Sequence, residues 1–413
     1  MRFANFTAGV ALTAICGSAH AQIRLPPLTL PTTPLSPVSQ SLDAAQPRAL
    51  DAANEWRHRQ ISRLVRDNRR LIETDPNGEP IVRSEIIAVG MSEAALARAR
   101  AGGFLVVRET AAANIRLIVL EAPEKSTARN ALRDLRAADP QGLYDYNHIY
   151  LGVGATAGDS PEAASAGAST RGPTAASGAH IRVGLLDTGI DPTHPAFRDS
   201  LIHSWGCKTH QVPAAHGTAV ASLLIAHGGN ELFAADVYCG SPTGGSVDAI
   251  VAALGWLSEQ AVPVINVSLV GPKNVLLERV VSALIGRGHL IVAAVGNDGP
   301  AAPPLYPAAY PDVVGVTAVD VHRHVLIEAE RGPQVMFAAQ GADLKAASLE
   351  HGYADVRGTS FAAPTVAALL AAFSSAPDRH AADAAIDALA KSAIHLGSAG
   401  RDLTYGFGLV GER

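Results

Sequence analysis

A three-layer α/β domain with a mostly parallel sheet, preceded by a small α+β unit of βαββαβ order, is the architecture this sequence predicts. Three observations carry it. Beyond residue 180, short apolar runs bounded by turn residues, Ile181–Leu186, Val262–Val267 and Leu290–Val295, alternate with stretches of helical spacing, the pattern of strands buried on both faces between crossover helices. Between residues 81 and 151 the periodicity runs strand, helix, strand, strand, helix, strand, a split βαβ unit. Residues 152–178 between them are Gly, Ala, Ser and Thr with almost no large apolar side chain, so they cannot bury enough surface to offset chain entropy and form a flexible linker.

The 413-residue length allows two or three domains, each large enough to bury a core. Residues 1–21 have the form of a secretory signal: Arg2 supplies a positive start, Ala8–Cys16 is apolar but too short to span a bilayer, and Ala19-His20-Ala21 has small residues at a cleavage site. Export to the periplasm or the extracellular space is therefore expected. Bulky Ile15 before Cys16 argues against a lipid anchor there. No later stretch offers about 18 unbroken apolar residues, so no stable membrane anchor is expected.

Residues 22–42 carry Leu-Pro and Ser-Pro steps that favour extended, solvated chain. Residues 43–80 form a helical N-terminal segment, with Ile61, Leu64, Val65, Leu71 and Ile72 at near-helical spacing and Pro76-Asn77-Gly78 closing the pattern. Its arginines, Arg57 to Arg70, read as a solvated face, because one basic helix without aromatic stacking residues is weak evidence for nucleic acid. The formal net charge of −5 is spread along the chain, so no nucleic-acid partner is expected. In the 81–151 unit, strands are expected at Glu85–Gly90, Phe104–Arg108, Ile115–Leu120 and Leu143–Leu151, with helices at Ser92–Ala101 and Ser126–Ala137.

In the domain spanning 179–413, helices are expected at His216–Ala226, Ser246–Glu259, Lys273–Arg287 and Ser360–Ser374. Removal of the signal leaves two cysteines, Cys207 and Cys239. In an oxidising compartment a disulfide is favoured over two buried thiols, and two cysteines alone do not make a metal site. His194, His203, His210 and His227 show no helical His-x₃-His pair, so neither a metal nor a cofactor is expected.

Four short motifs carry chemistry. Asp187 ends an apolar strand in Leu185-Leu186-Asp187-Thr188-Gly189, where an acid can be desolvated and orient an imidazole, although an Asp there is as readily a turn residue. His216 and Ser360 each open a helix, in His216-Gly217-Thr218-Ala219 and Gly358-Thr359-Ser360-Phe361-Ala362-Ala363-Pro364. A serine at that place also reads as a helix cap. Asn297 leaves a buried strand into the Gly-bounded loop Val295-Gly296-Asn297-Asp298-Gly299-Pro300, where its NH₂ could donate to a developing oxyanion or serve a plain turn.

With these four motifs in the order Asp, His, Asn, Ser, residues 180–413 resemble the subtilisin family of serine peptidases. The resemblance implies a subtilisin-like fold in which Ser360 attacks a peptide carbonyl, His216 moves the proton, Asp187 holds the imidazole, and Asn297 with the Ser360 N–H binds the oxyanion. It further implies that protein or peptide substrates pair with the strand at Ser268, Leu269 and Gly271, with Leu305 flooring an apolar pocket for the residue before the scissile bond. The 81–151 unit resembles the family's inhibitory, folding-assisting propeptide, so the protein's own N-terminal domain is an expected partner, freed by cleavage in the linker. The chain departs from the family pattern at Ala219, often a second His, and after His227, where there is no room for the family's calcium loop. Two rival readings are an aspartic peptidase, which needs a second Asp-Thr-Gly that this chain lacks, and a catalytically silent peptide-binding module on the same fold.

Overall fold

The structure is a computed structural model and describes residues 55, 57–152, 155–156, 181–207, 212–398 and 400–412. The signal at 1–21, the Pro-rich stretch at 22–42, nearly all of the 152–178 linker and His210 lie outside the described residues.

The described residues open with a helix, α1 (57–67); Ile72, expected in that helix, instead begins a short strand, β1 (Ile72–Thr74), because it pairs with β2 (Pro80–Val89). There follow α2 (Glu93–Ala101), β3 (Leu105–Ala112), β4 (Ile115–Glu121), α3 (Ala128–Ala138) and β5 (Leu143–Gly152), the expected βαββαβ order. Both helix starts are set locally: Ser92 Oγ accepts from Ala95 N–H at 3.1 Å and Thr127 Oγ1 from Asn130 N–H at 3.3 Å, satisfying first-turn donors. The strands are antiparallel in the spatial order β5-β2-β4-β3. Alternation sorts their side chains: Ile86, Ala88, Ile118 and Leu120 face α2 and α3, while Ile87, Val89, Leu117 and Val119 belong to a core shared with residues 233–335.

After β6 (Ala155–Thr156) the second region supplies β7 (Arg182–Asp187), β8 (Leu201–Gly206), α4 (Ala215–Ala226), β9 (Glu231–Asp236), β10 (Gly245–Ser246), α5 (Val247–Glu259), β11 (Val264–Val267), β12 (Leu269–Val270), α6 (Val275–Gly286) and β13 (Leu290–Ala294). It ends with β14 (Val314–Val319), β15 (Val335–Gln340), β16 (Leu344–Ala347), β17 (Tyr353–Arg357), α7 (Thr359–Ala371) and α8 (Arg379–Ser392). Seven parallel strands lie in the order β15-β14-β13-β11-β7-β9-β8. Helices α4, α7 and α8 bury their apolar residues on one face, α5 and α6 on the other, which makes the three-layer arrangement. From β7 the chain next fills positions on one side of it, at β8 and β9, and then crosses to β11 on the other. The crevice beyond the carboxyl end of β7 is therefore the place where such sheets hold their active groups.

The two regions share strands as well as a core. β5 is flanked by β10, with Tyr150 opposite Gly245, and by β12, with Leu151 opposite Val270 and Gly152 opposite Leu269, all antiparallel. On the same face Arg108 of β3 reaches Asp248 in the first turn of α5 at 2.7 Å, and Asn147 of β5 donates to the same carboxylate at 2.8 Å. Burial alone would raise the Asp248 pKa, but these partners outweigh it and hold the group below the usual carboxylate range. Cys207 and Cys239, at the ends of β8 and β9, are joined as a disulfide with Cα atoms 5.2 Å apart. Among the described residues no helix is long and apolar enough to cross a membrane.

Candidate active site

Asp187 is the last residue of β7 and is fully buried. Its Oδ1 accepts from the Thr188 N–H at 2.7 Å and faces His216 Nδ1 at 2.8 Å. The Thr188 hydroxyl also donates to Oδ1, at 3.2 Å, while Oδ2 has no hydrogen-bond partner among the described residues. Beside a carboxylate the Nδ1 nitrogen carries the proton, which leaves Nε2 as the proton acceptor.

His216 is the second residue of α4. It can sit close to the strand end because Gly217 follows it: a Cβ at Gly217 would collide with the Thr188 carbonyl. The Gly217 N–H instead donates to Thr188 Oγ1 at 2.9 Å, tying the helix start to the strand end. The His216 side chain retains 14% exposure, and its ring centroid lies 5.4 Å from that of Phe361, the residue after Ser360. Strand end, one helix start and the other helix start thus meet.

Ser360 does not cap its helix. The cap position of α7 is Gly358, at φ 138°, with no side-chain cap bond, a conformation that glycine adopts without strain. Ser360 is instead the second helical residue, fully buried, and its Oγ donates to the Ser268 carbonyl at 3.3 Å. Ser268 Oγ in turn donates to the Ser360 carbonyl at 3.1 Å and accepts from Asn266 Nδ2 at 2.9 Å. The Ser360 N–H lies in the first turn, where helix N–H groups lack intrahelical partners.

Asn297 reaches the same helix start. Its Oδ1 accepts from the Thr359 N–H at 3.1 Å, so the NH₂ end of the amide is the end left to donate elsewhere. Thr359 Oγ1 accepts from the Gly296 N–H at 3.3 Å, which fixes the loop on both sides of the amide. The arrangement can hold a hydroxyl, an imidazole backed by a carboxylate, and two N–H donors around one reacting carbonyl.

The substrate-side expectations sort differently. Leu269 pairs with Gly152 as an edge strand would pair with an extended peptide. Ser268 is fully buried and exchanges two hydrogen bonds with Ser360, which hold that residue in place. Gly271 spends its N–H and C=O on Tyr306, at 2.9 and 3.0 Å, and so pairs with no extended partner. It contributes by lacking a side chain, since a Cβ there would lie 2.7 Å from the Tyr150 ring. Val270, which the sequence expectation omits, takes the pairing position opposite Leu151 and also packs against Leu305. Thr188, Asn266 and Thr359 were equally invisible from motif spacing, because their work is to hold other site residues. Among the described residues one trio of possible ligands lies close together, Cys207, Asp236 and Cys239, and its two sulfurs are bonded to each other.

Comparison with known proteins agrees with this geometry. The model of the subtilase family, peptidase family S8, matches residues 178–408. The chain is 28% identical over 249 residues to the minor extracellular protease Epr of Bacillus subtilis, covering 56% of this chain and 38% of that one. It is 30% identical over 217 residues to the major intracellular serine protease of the same organism, covering 47% of this chain and 68% of that one. Among solved structures, fervidolysin from Fervidobacterium pennivorans, described as a keratinolytic enzyme related to subtilisin, superposes with a TM-score of 0.66 at 20% identity, over 82% of this chain and 61% of its own.

Proposed function

The chain belongs to the subtilase family, and from that premise we propose that it is a serine endopeptidase made as an exported precursor that cuts itself. In this reading Ser360 Oγ leaves the Ser268 carbonyl, passes its proton to His216 Nε2 and attacks a peptide carbonyl. Asp187 stabilises the imidazolium so formed. The oxyanion is met by Asn297 Nδ2 and the Ser360 N–H. His216 then protonates the leaving amine, and water releases the acyl group by the same steps in reverse. The observation that carries the reading is the Asp187–His216 pair at 2.8 Å, with the His216 ring 5.4 Å from that of Phe361, the residue after Ser360.

The upstream unit supports the precursor reading through its last strand. Leu151 and Gly152 lie on β12 as a bound peptide would, and a Cβ on Gly152 would sit 3.8 Å from the His216 ring. On the other side Ala155 and Thr156 pair with Arg357 and Val356, just ahead of Ser360. Within the 152–178 linker the cut is therefore expected at one of the bonds from 152 to 155. Residues 81–151 would act as a propeptide that templates the parallel sheet, whose non-local pairings close slowly, and then blocks the groove. Location rests on the N-terminal sequence, since one relative is named as extracellular and another as intracellular. The aspartic-peptidase reading loses ground because the partner of Asp187 is an imidazole and not a second carboxyl.

The test is to produce the parent and Ser360→Ala chains and determine the mature N-terminus by mass spectrometry. The parent should begin at Val153, Gly154 or Ala155 and react with a fluorophosphonate. The alanine chain should stay joined and unlabelled. Equal peptide hydrolysis by both proteins would favour the silent binding module.

A further inference from the structure

We infer that Asp298 and Glu330 form an acidic end to the pocket for the side chain preceding the scissile bond, that this end takes lysine or arginine, and that Arg57 occupies it in the precursor. The inference rests on the serine-peptidase reading and extends it to substrate class.

Glu330 is fully buried. Its Oε2 accepts from the Leu305 N–H at 3.3 Å, and its Oε1 has no hydrogen-bond partner among the described residues. The carboxyl lies directly under Gly296, where a Cβ would overlap it. It therefore sits between the loop that carries Asn297 and the residue expected to floor the pocket. Burial, and after it the charge of Asp298 next to Asn297, push the Glu330 pKa up to about 9. A buried carboxyl with one oxygen unsatisfied is costly to the fold. A cation that visits the site would supply the missing partner.

A cation is present beside it, bonded to Asp298 and not to Glu330. Arg57, from α1, is 12% exposed and reaches across to Asp298 Oδ2 with Nη1 at 3.0 Å, while Nε and Nη2 hold Glu79 at 3.2 and 2.8 Å. Despite burial, these two carboxylates raise the Arg57 pKa above its ordinary value, so the guanidinium is charged. When the upstream segment leaves, Arg57 and Glu79 leave together, and Asp298 loses the only cation that bonds it among the described residues. Leu305 and Val270 remain as an apolar wall. A wall of that kind suits the methylene stem of Lys or Arg with the charged head beyond it. Because Arg57 fills the acidic end in the precursor, the self-cleavage between residues 152 and 155 does not call on it.

The experiment uses matured full-length protein, with active sites counted by fluorophosphonate, and peptide amides that differ only before the scissile bond: Lys, Arg or norleucine. Expected is a preference for Lys and Arg over norleucine of about tenfold or more in kcat/KM, which Asp298→Asn and Glu330→Gln each reduce by about fivefold or more. A norleucine preference, or a ratio unmoved by Asp298→Asn, overturns the inference. A second arm needs no catalysis. The Ser360→Ala precursor carrying Arg57→Ala should bind p-aminobenzamidine, seen as a fluorescence increase, and the Ser360→Ala precursor with Arg57 intact should not. Lack of binding to the Arg57→Ala chain overturns the inference, whereas binding with no fluorophosphonate labelling of the parent leaves the acidic site standing and sinks the peptidase reading.

Discussion

Ser360 sits in two networks at once, one that would use its hydroxyl and one that fixes its backbone. The second is made by Ser268, Asn266 and Thr359, and no motif points to them, because a bracing residue needs only to reach its neighbour. The candidate residues were legible, since Asp187, His216 and Ser360 sit at strand or helix ends that leave polar groups for use and Asn297 follows β13 in a Gly-bounded loop. Their roles predict graded losses. Asp187→Asn should lower kcat by about 10⁴ by stabilising the wrong imidazole tautomer. Asn297→Ala should cost about 10²–10³, the loss recorded when such a donor is removed from subtilisin itself. Both are read from steady-state kinetics normalised to fluorophosphonate titre. A loss in Asn297→Ala confined to KM would argue for substrate positioning in place of oxyanion binding.

Two elements, α5 and α6, carry the upstream unit, and each does so through one residue with a second duty. Gly255 of α5 lies against β3, where a Cβ would collide with the Ala111 carbonyl. In a helix Gly→Ala gains up to about 1 kcal/mol, while the overlap costs about 1–3 kcal/mol. Gly255→Ala should therefore slow conversion of precursor to product on a gel time course, yet raise the melting temperature of the separated mature product. Asn274 caps α6 by accepting from Leu276 and Leu277 N–H and donates from Nδ2 to Tyr146 O and His148 Nδ1. Asn274→Ala should cost about 1 kcal/mol from the cap in denaturant titrations of mature protein, and more in the precursor, where the β5 bonds are lost too. Existence and type of the elements from β2 to β5 followed from periodicity, with ends near the expected ones, whereas β1 falls in a stretch whose spacing reads as helical. Helix α8 was not expected, because its stripe is largely alanine, which contrasts weakly with its surroundings. Edge strand β8 mixes His203, Ser204 and Trp205 and offers no clean alternation.

For the whole molecule, the buried Glu330 sets a sign that can be measured. Its folded pKa of about 9 lies above the ordinary carboxyl value, so between roughly pH 4.5 and 9 the unfolded chain has lost a proton that the folded chain keeps. Stability then falls as pH rises through that window, by at most about 1.4 kcal/mol per unit. In the Ser360→Ala background, Glu330→Gln should raise the melting temperature at pH 8 and change it little near pH 4. A variant no more stable at pH 8 than at pH 4 would mean that Glu330 is better satisfied than its geometry indicates. A gain in stability together with lost selectivity for basic side chains would fit a residue retained for binding and not for the fold.

The sequence by itself determined the layer order and pointed, through four motifs, to Asp187, His216, Asn297 and Ser360 as candidates, because periodicity and element ends are local properties of the chain. It also held an unused hint: strands β2 and β4 are apolar on both faces, and two helices of their own can cover only one. Only the tertiary structure decided that α5 and α6 cover the other face, that Val270 and not Gly271 pairs with an extended chain, and that Arg57 meets Asp298 above a buried carboxyl. Those contacts join residues far apart in sequence, and no local pattern records which distant surface a side chain will find.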